Sequence, residues 1–219
     1  MGKIRICSEY SAQRIDALPN PMVQRCIHTL AHESTESMRV ADQGCGKLRH
    51  LDLLAASYSD IVLVDTPEQL RSLHRFAGTT STIDDYIQQY SRSKSTKIAL
   101  LGSDRFSRSR LGLDIIFSIA TYDVVPGRVR SAMAQAAYRN LQRGGSYVVV
   151  VPRNDSSILT RCSETNRYMD GHIFFHHGVY TYFRNYDDDA PIMRTLQATG
   201  FRRNRELSNY RQLCLILRK

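Results

Sequence analysis

Residues 61–64 read Ile-Val-Leu-Val, four apolar, β-prone side chains in a row with no polar residue among them. A strand with one face in water alternates polar and apolar residues. An unbroken run instead fits a strand covered on both faces, as in a parallel sheet between helices. Tyr147-Val148-Val149-Val150-Val151 shows the same pattern and ends at Pro152. Met38-Arg39-Val40-Ala41, Ile98-Ala99-Leu100-Leu101 and Asp114 to Ile119 are three further strand candidates. Between these runs the period shifts to that of a helix. Asn20 to Glu33 places Met22, Val23, Cys26, Ile27 and Leu30 on one face, behind Pro21 in the first turn. Lys47 to Tyr58, Pro67 to about Phe76, Ile83 to Tyr90 and Arg128 to Leu141 follow as helices, the last stopped by Gly144-Gly145. Residues 77–82 read as a turn.

Strands alternating with helices at this spacing imply a parallel sheet with right-handed crossovers. The tail breaks that rhythm. A helix from Ile192 to Thr199 ends at Gly200, and Phe201 to Leu207 and Gln212 to Leu217 then form a hairpin turning at Ser208-Asn209. The expected fold is therefore α/β and doubly wound, with a mostly parallel seven-stranded sheet and an antiparallel C-terminal strand. Residues 1–36 are expected to form an N-terminal helical cap or lid, with Tyr10 and Arg14 as candidate contacts. Residues 37–219 then form the main domain, with an insertion at about 153–190.

The first main-domain strand runs into Asp42-Gln43-Gly44-Cys45-Gly46-Lys47, a strand-to-helix turn. Glycines there permit unusual backbone angles and close approach of a ligand, and open parallel sheets bind ligands at the carboxyl ends of their strands. Asp65 ends the next strand, 23 residues after Asp42, where an acid can accept ribose hydroxyls. A dinucleotide fingerprint wants a third glycine where Arg49 stands, and no Gly-Lys-Ser/Thr phosphate loop occurs. The acid at Asp42 suits a ligand bearing an ammonium, which points to S-adenosylmethionine (SAM).

On these residues the chain resembles the class I SAM-dependent methyltransferases, over roughly residues 38–152 and more weakly to the C-terminus. Their Asp/Glu-x-Gly-x-Gly-x-Gly motif is matched by Asp42, Gly44 and Gly46, with Leu48 in place of the last glycine. Leu141-Gln142-Arg143-Gly144-Gly145 matches the Leu-x-x-Gly-Gly that precedes the fifth strand. The resemblance implies a Rossmann-like fold, SAM as cofactor and a methyl-transferring enzyme. It implies cofactor contacts at Asp42, Gly44, Cys45, Gly46, Asp65, Thr66, Ser103, Asp104, Ser118 and Ile119. Cys45, inside the loop, reads as a small packing residue rather than a nucleophile.

In-line methyl transfer needs donor and acceptor held in line, and a base only if the acceptor keeps a proton. Candidate catalytic residues are Tyr122, after the fourth strand, and His176 or His177. The two histidines lie in a stretch with aromatic residues Phe174, Phe175, Tyr180 and Tyr182, which can stack on a planar acceptor or simply form a strand pair. The place of an Asp/Asn-Pro-Pro-Tyr/Phe amine-binding motif holds Ala120-Thr121-Tyr122-Asp123, against amino methylation of that pattern, and no Pro-Cys occurs there for cytosine C5 chemistry. Asp187, Asp188 and Asp189 fit a helix N-terminus better than a metal site, so no metal is expected.

The formal charge is +9, concentrated in residues 92–110 and 202–219. Basic segments favour anionic partners, so RNA or DNA is an expected partner, with a solvated basic surface as the plain alternative. The leading expectation is methylation of nucleic acid, RNA foremost, or of a nucleotide-like planar acceptor. A small-molecule methyltransferase, or an inactive SAM-binding subunit that binds nucleic acid, are the alternatives. An oligomer or partner subunit is compatible with any of these. Five widely spaced cysteines, no membrane-length apolar run and no apolar stretch over Met1 to Gln13 suggest a reduced, cytoplasmic setting with no membrane partner.

Overall fold

The computed structural model describes residues 20–33, 37–76, 78–92, 96–153, 165–176 and 179–219. Seven strands make the main sheet: β1 (Arg39–Gln43), β2 (Asp60–Asp65), β5 (Lys97–Gly102), β6 (Leu113–Ile119), β7 (Leu141–Pro152), β11 (Arg202–Glu206) and β12 (Gln212–Arg218). Their order across the sheet is β11-β12-β7-β6-β1-β2-β5. Neighbours from β7 to β5 pair in parallel, whereas β12 runs antiparallel to both β7 and β11. The unbroken apolar runs have a direct cause. Along each central strand successive side chains enter opposite cores. Ile61 and Leu63 face one core and Val62 and Val64 the other; Val148 and Val150 are divided in the same way from Tyr147, Val149 and Val151.

One core is closed by α1 (Pro21–His32), α2 (Leu51–Ser57) and α4 (Ile83–Arg92), the other by α5 (Ser103–Phe106), α6 (Gly127–Asn140) and α7 (Ala190–Thr199). Helix α1 buries Met22, Val23, Cys26, Ile27 and Leu30, and the side chain of Asn20 caps it by accepting from the Met22 amide at 2.9 Å. Residues 8–18, part of the expected lid, lie outside the described residues. Gly200 ends α7 in the left-handed region, as expected from its place in the sequence. Among the described residues no helix is long and apolar enough to cross a membrane.

Three expected boundaries move. The helix expected over 47–58 starts only at Leu51, because Gly46 and Leu48 take positive φ and cannot be helical. The helix from Pro67 stops at Arg71 (α3, Pro67–Arg71), and the chain then forms a ribbon of β3 (His74–Phe76) and β4 (Thr79–Ser81). Extended backbone there lets Phe76 bury itself and stack on Tyr86 at 4.4 Å between ring centroids. The third change concerns Gly144-Gly145, which does not stop α6. The helix ends at Asn140, and the glycines form an irregularity within β7, where a Cβ on Gly145 would meet the Leu113 carbonyl at 3.0 Å.

Asn140 carries that ending. Its amide nitrogen donates to the carbonyls of Phe106 at 2.7 Å and Ala136 at 2.9 Å, and its oxygen accepts from the Leu111 amide at 3.2 Å. It thus ties the approach to β6 onto the foot of α6 while fully buried. Asn140→Leu keeps the shape but strands buried backbone groups at about 1–3 kcal/mol each, so a loss of about 2–4 kcal/mol is expected in urea denaturation. A loss below about 1 kcal/mol would mean that those groups reach water.

Candidate functional site

The glycine loop leaves the carboxyl end of β1, at the centre of the sheet, where β2 lies on one side and β6 on the other. The amides of Gly44 and Cys45 both donate to the Val64 carbonyl, at 2.8 and 3.1 Å. The Gly46 amide donates to one oxygen of Asp65 at 2.7 Å, and the Thr66 amide donates to the other at 2.7 Å. The acid 23 residues after Asp42 is therefore also the anchor of the loop itself. Gly44 and Gly46 have φ of 85° and 55°. A Cβ on Gly44 would lie 2.5 Å from Thr121 Oγ1, so the second residue past the end of β6 packs directly on the loop. Leu48, where the methyltransferase motif carries its last glycine, keeps a glycine-like φ of 62° while its side chain is buried. Packing holds that strain.

Asp42 is buried at the end of β1. Burial, and then the charge of Asp65, push its carboxyl up to about 7. Its neighbourhood thus disfavours a lone negative charge and is suited to an arriving cation. The same two acids, after burial, raise the Cys45 thiol, which stays protonated and packs as a small apolar group. Thr66 uses its hydroxyl to cap α3, accepting from the Gln69 amide at 3.1 Å. Ser103 and Asp104 open α5 on the surface after β5, with Asp104 paired to Arg108. Ser118 is buried against Tyr147, and Ile119 packs in the core beside α1 and α2. The loop, Asp42, Asp65 and Thr66 thus converge, with Ser103 and Asp104 following Gly102, the partner of Asp65 on β5, whereas Ser118 is buried within β6.

Tyr122 is fully buried, with its hydroxyl 3.3 Å from that of Tyr147 and bonded to the Arg130 carbonyl at 3.3 Å. Burial holds its hydroxyl well above the usual tyrosine range. It therefore stands as a scaffold member beneath the rim, and this geometry lends its candidacy as a catalytic residue no support. Tyr147 donates to Gln43 at 2.8 Å, which in turn donates to the Met133 carbonyl at 3.2 Å. Arg130, itself buried, donates to the carbonyls of Tyr122 and Val125 and pairs with Asp170.

Asp170 belongs to the insertion, whose described part is a three-stranded antiparallel sheet: β8 (Thr165–Tyr168), β9 (Gly171–His176) and β10 (Val179–Phe183). Asp170 also binds Arg184 and the Tyr182 hydroxyl, and the Arg184 amide donates to the Asp123 carbonyl at 2.7 Å. The small sheet is thereby fixed to residues 122–125, just past the end of β6. Tyr182 is buried, while Phe175 and Tyr180 pair across the strands at its free end, exposed, with ring centroids 5.2 Å apart. His176 closes β9 opposite Val179; its side chain, and all of His177, lie outside the described residues. Asp188 accepts from the Ala190 amide at 3.0 Å, as expected of a helix N-terminus, whereas Asp189 makes no capping hydrogen bond and pairs with Arg203. Among the described residues no group of three His, Cys, Asp or Glu side chains can hold a metal.

The sequence reading missed Gln43, Arg130 and Asp170. Arg130 had a signal: it shares a helical face with Ala134 and Ala137, both buried. Asp170 had none, because its partners are distant in the chain.

The strand order with one reversed strand next to the edge finds close counterparts among solved structures. The PH0226 protein from Pyrococcus horikoshii OT3 superposes with a TM-score of 0.66 at 12% identity, over 95% of this chain and 94% of that one. A SAM-dependent methyltransferase from Clostridium acetobutylicum ATCC 824 gives 0.62 at 11% identity, over 92% of each chain. The chain has the Rossmann-like methyltransferase fold. A third structure of this methyltransferase fold, Burkholderia thailandensis 1,6-didemethyltoxoflavin-N1-methyltransferase, contains 1,6-didemethyltoxoflavin and S-adenosylhomocysteine. It matches with a TM-score of 0.58 at 12% identity, over 91% of this chain and 78% of that one. In sequence, the chain is 23% identical to the uncharacterized protein YmfD of Escherichia coli (strain K12) over 190 residues, 87% of this chain and 82% of that protein. No family model matches.

The left-handed backbone at Leu48 yields a sharp ordering. Leu48→Ala keeps the strain and loses buried contacts, at about 2–5 kcal/mol. Leu48→Gly loses the same contacts but relieves about 1–2 kcal/mol of strain. The glycine variant is therefore expected to unfold at the higher denaturant concentration. The opposite order would place Leu48 outside the left-handed region.

Proposed function

We propose that the chain is a SAM-dependent methyltransferase whose acceptor is a planar, nucleobase-like ring, with RNA as its leading source. The observation that carries the cofactor reading is the pair Asp42 and Asp65 at the ends of adjacent strands around a glycine loop. Asp42 would hold the ammonium of the methionine moiety, and Asp65 the ribose hydroxyls beside the Gly46 amide that it already accepts. The residues fit: among the described residues no cation pairs with Asp42, whose carboxyl is held high by burial and then by the charge of Asp65. SAM, when bound, supplies a sulfonium methyl open to in-line attack. The chain's part is to orient and to exclude water. Thr121 seals the loop from the β6 side, and the Asp170 clamp sets the three-stranded sheet beside the same rim. Phe175 and Tyr180 on that sheet offer an exposed aromatic pair against which a ring can stack.

A second reading, a small-molecule acceptor, is favoured by the bound 1,6-didemethyltoxoflavin of the Burkholderia structure. Transfer of labelled methyl from SAM separates the readings. Label in RNA supports the leading one, and label only in low-molecular-weight compounds supports the second. SAM binding with no transfer to either would leave a binding subunit that has lost catalysis.

The raised carboxyl of Asp42 sets a pH dependence. The folded chain prefers Asp42 protonated, so its contribution to stability is complete below about pH 4 and is lost as pH rises through about 7. An ammonium ligand needs the ionised form. SAM affinity is thus expected to fall roughly tenfold per pH unit below about 7, with proton release on binding, and Asp42→Asn should abolish that slope. A flat profile in calorimetry would refute the ammonium contact. Asp65→Ala is expected to weaken SAM by about 1–3 kcal/mol, and unchanged affinity would displace the ribose from β2.

A further inference from the structure

Several cations of the two basic segments are already paired. Arg203 pairs with Asp189 and Glu206, Arg205 with Glu33 at 2.6 Å, Lys97 with Asp60 at 3.6 Å and Arg108 with Asp104 at 3.4 Å. Arg110, Arg139 and Lys219 form no ion pair among the described residues. These three line one cavity of about 520 Å³, with Gln135, Tyr138 and Thr199.

The cavity lies at the amino ends of β6 and β7, away from the glycine loop. Arg110 precedes β6, Arg139 stands in the last turn of α6, and Lys219 follows β12, whose Arg218 is opposite Ser146. Two of the cations are held in place. Arg139 donates to the Ser107 carbonyl; Lys219 Nζ donates to the Leu141 carbonyl at 2.6 Å and stands 4.9 Å from the centre of the Tyr138 ring. The loop carrying Arg110 is fixed through Asn140. Arg110 adds to the desolvation that lowers the Lys219 ammonium, so the charges oppose one another across the cavity. The carboxyl ends of α6 and α7 offset them only by partial charges. Like charges gathered in a concave surface favour an anion there.

We propose that this cavity binds a phosphate group, remote from the methyl-transfer end. Two guanidinium groups and an ammonium match the dispersed charge and many acceptor oxygens of a phosphate. A free phosphorylated small molecule and the backbone of a nucleic acid present the same group.

The test titrates the full chain by calorimetry with inorganic pyrophosphate and, separately, with a short single-stranded RNA. It compares Arg110→Glu with Arg75→Glu, which makes the same charge change on an exposed residue of β3, outside both basic segments. Binding of either probe is expected to weaken by about tenfold or more in Arg110→Glu and to stay within about twofold in Arg75→Glu. Pyrophosphate binding alone supports the small-molecule source, and binding of RNA, alone or with pyrophosphate, the backbone source. No binding of either probe, or equal weakening by both variants, overturns the site. If Arg110→Glu fails to fold by circular dichroism, Lys219→Gln decides by the same criterion. SAM affinity should be unchanged in these variants, so this outcome is independent of the methyl-donor reading.

Discussion

Burial of the central strands on both faces is the constraint from which the rest of the molecule follows. Between two helical layers, β1, β2, β6 and β7 have no wet face, so a polar side chain along them either finds an internal partner or sits at a strand end. Gln43 and Tyr147 take the first course and bond to each other. Asp42 and Asp65 take the second and stand where β1 and β2 run out. The place of chemistry is therefore set by where a two-sided sheet can tolerate charge.

At that place the loop is fixed from two sides. Asp65 accepts from the Gly46 amide, and Thr121 packs so closely on Gly44 that no Cβ fits. The first contact joins the loop to β2 and the second to the end of β6, so a change at either strand end reaches the same few backbone atoms. Burial, and after it the closeness of the two acids, raises Asp42 and keeps the Cys45 thiol protonated. A single electrostatic arrangement readies the site for a cation and leaves its cysteine inert.

Beneath the rim, Gln43, Tyr147, Tyr122 and Arg130 form a continuous buried chain that surfaces at Asp170. It connects the end of β1 with the inserted sheet, so the exposed pair Phe175 and Tyr180 is carried on a base that is itself part of the core. Tyr122 lies just past β6, but its side chain turns inward, where a hydroxyl partner and the Arg130 carbonyl await it.

By itself the sequence determined the layered α/β class, the mostly parallel sheet implied by its crossovers, the glycine loop and its two acids. Each of these is written in local periodicity or in spacing of a few tens of residues. The terminal hairpin was legible for the same reason. Tertiary structure decided what depends on distant partners: that Leu48 keeps a glycine's backbone because the core holds its side chain, that Arg130 is a buried clamp and not a surface charge, and that Asp170 binds it. It also decided which charges of the two basic segments are neutralised and which meet. Arg110 and Lys219 are 109 residues apart in the chain and come to line one cavity only because β12 runs back beside β7 and delivers its last residue to the end of the sheet where β6 begins.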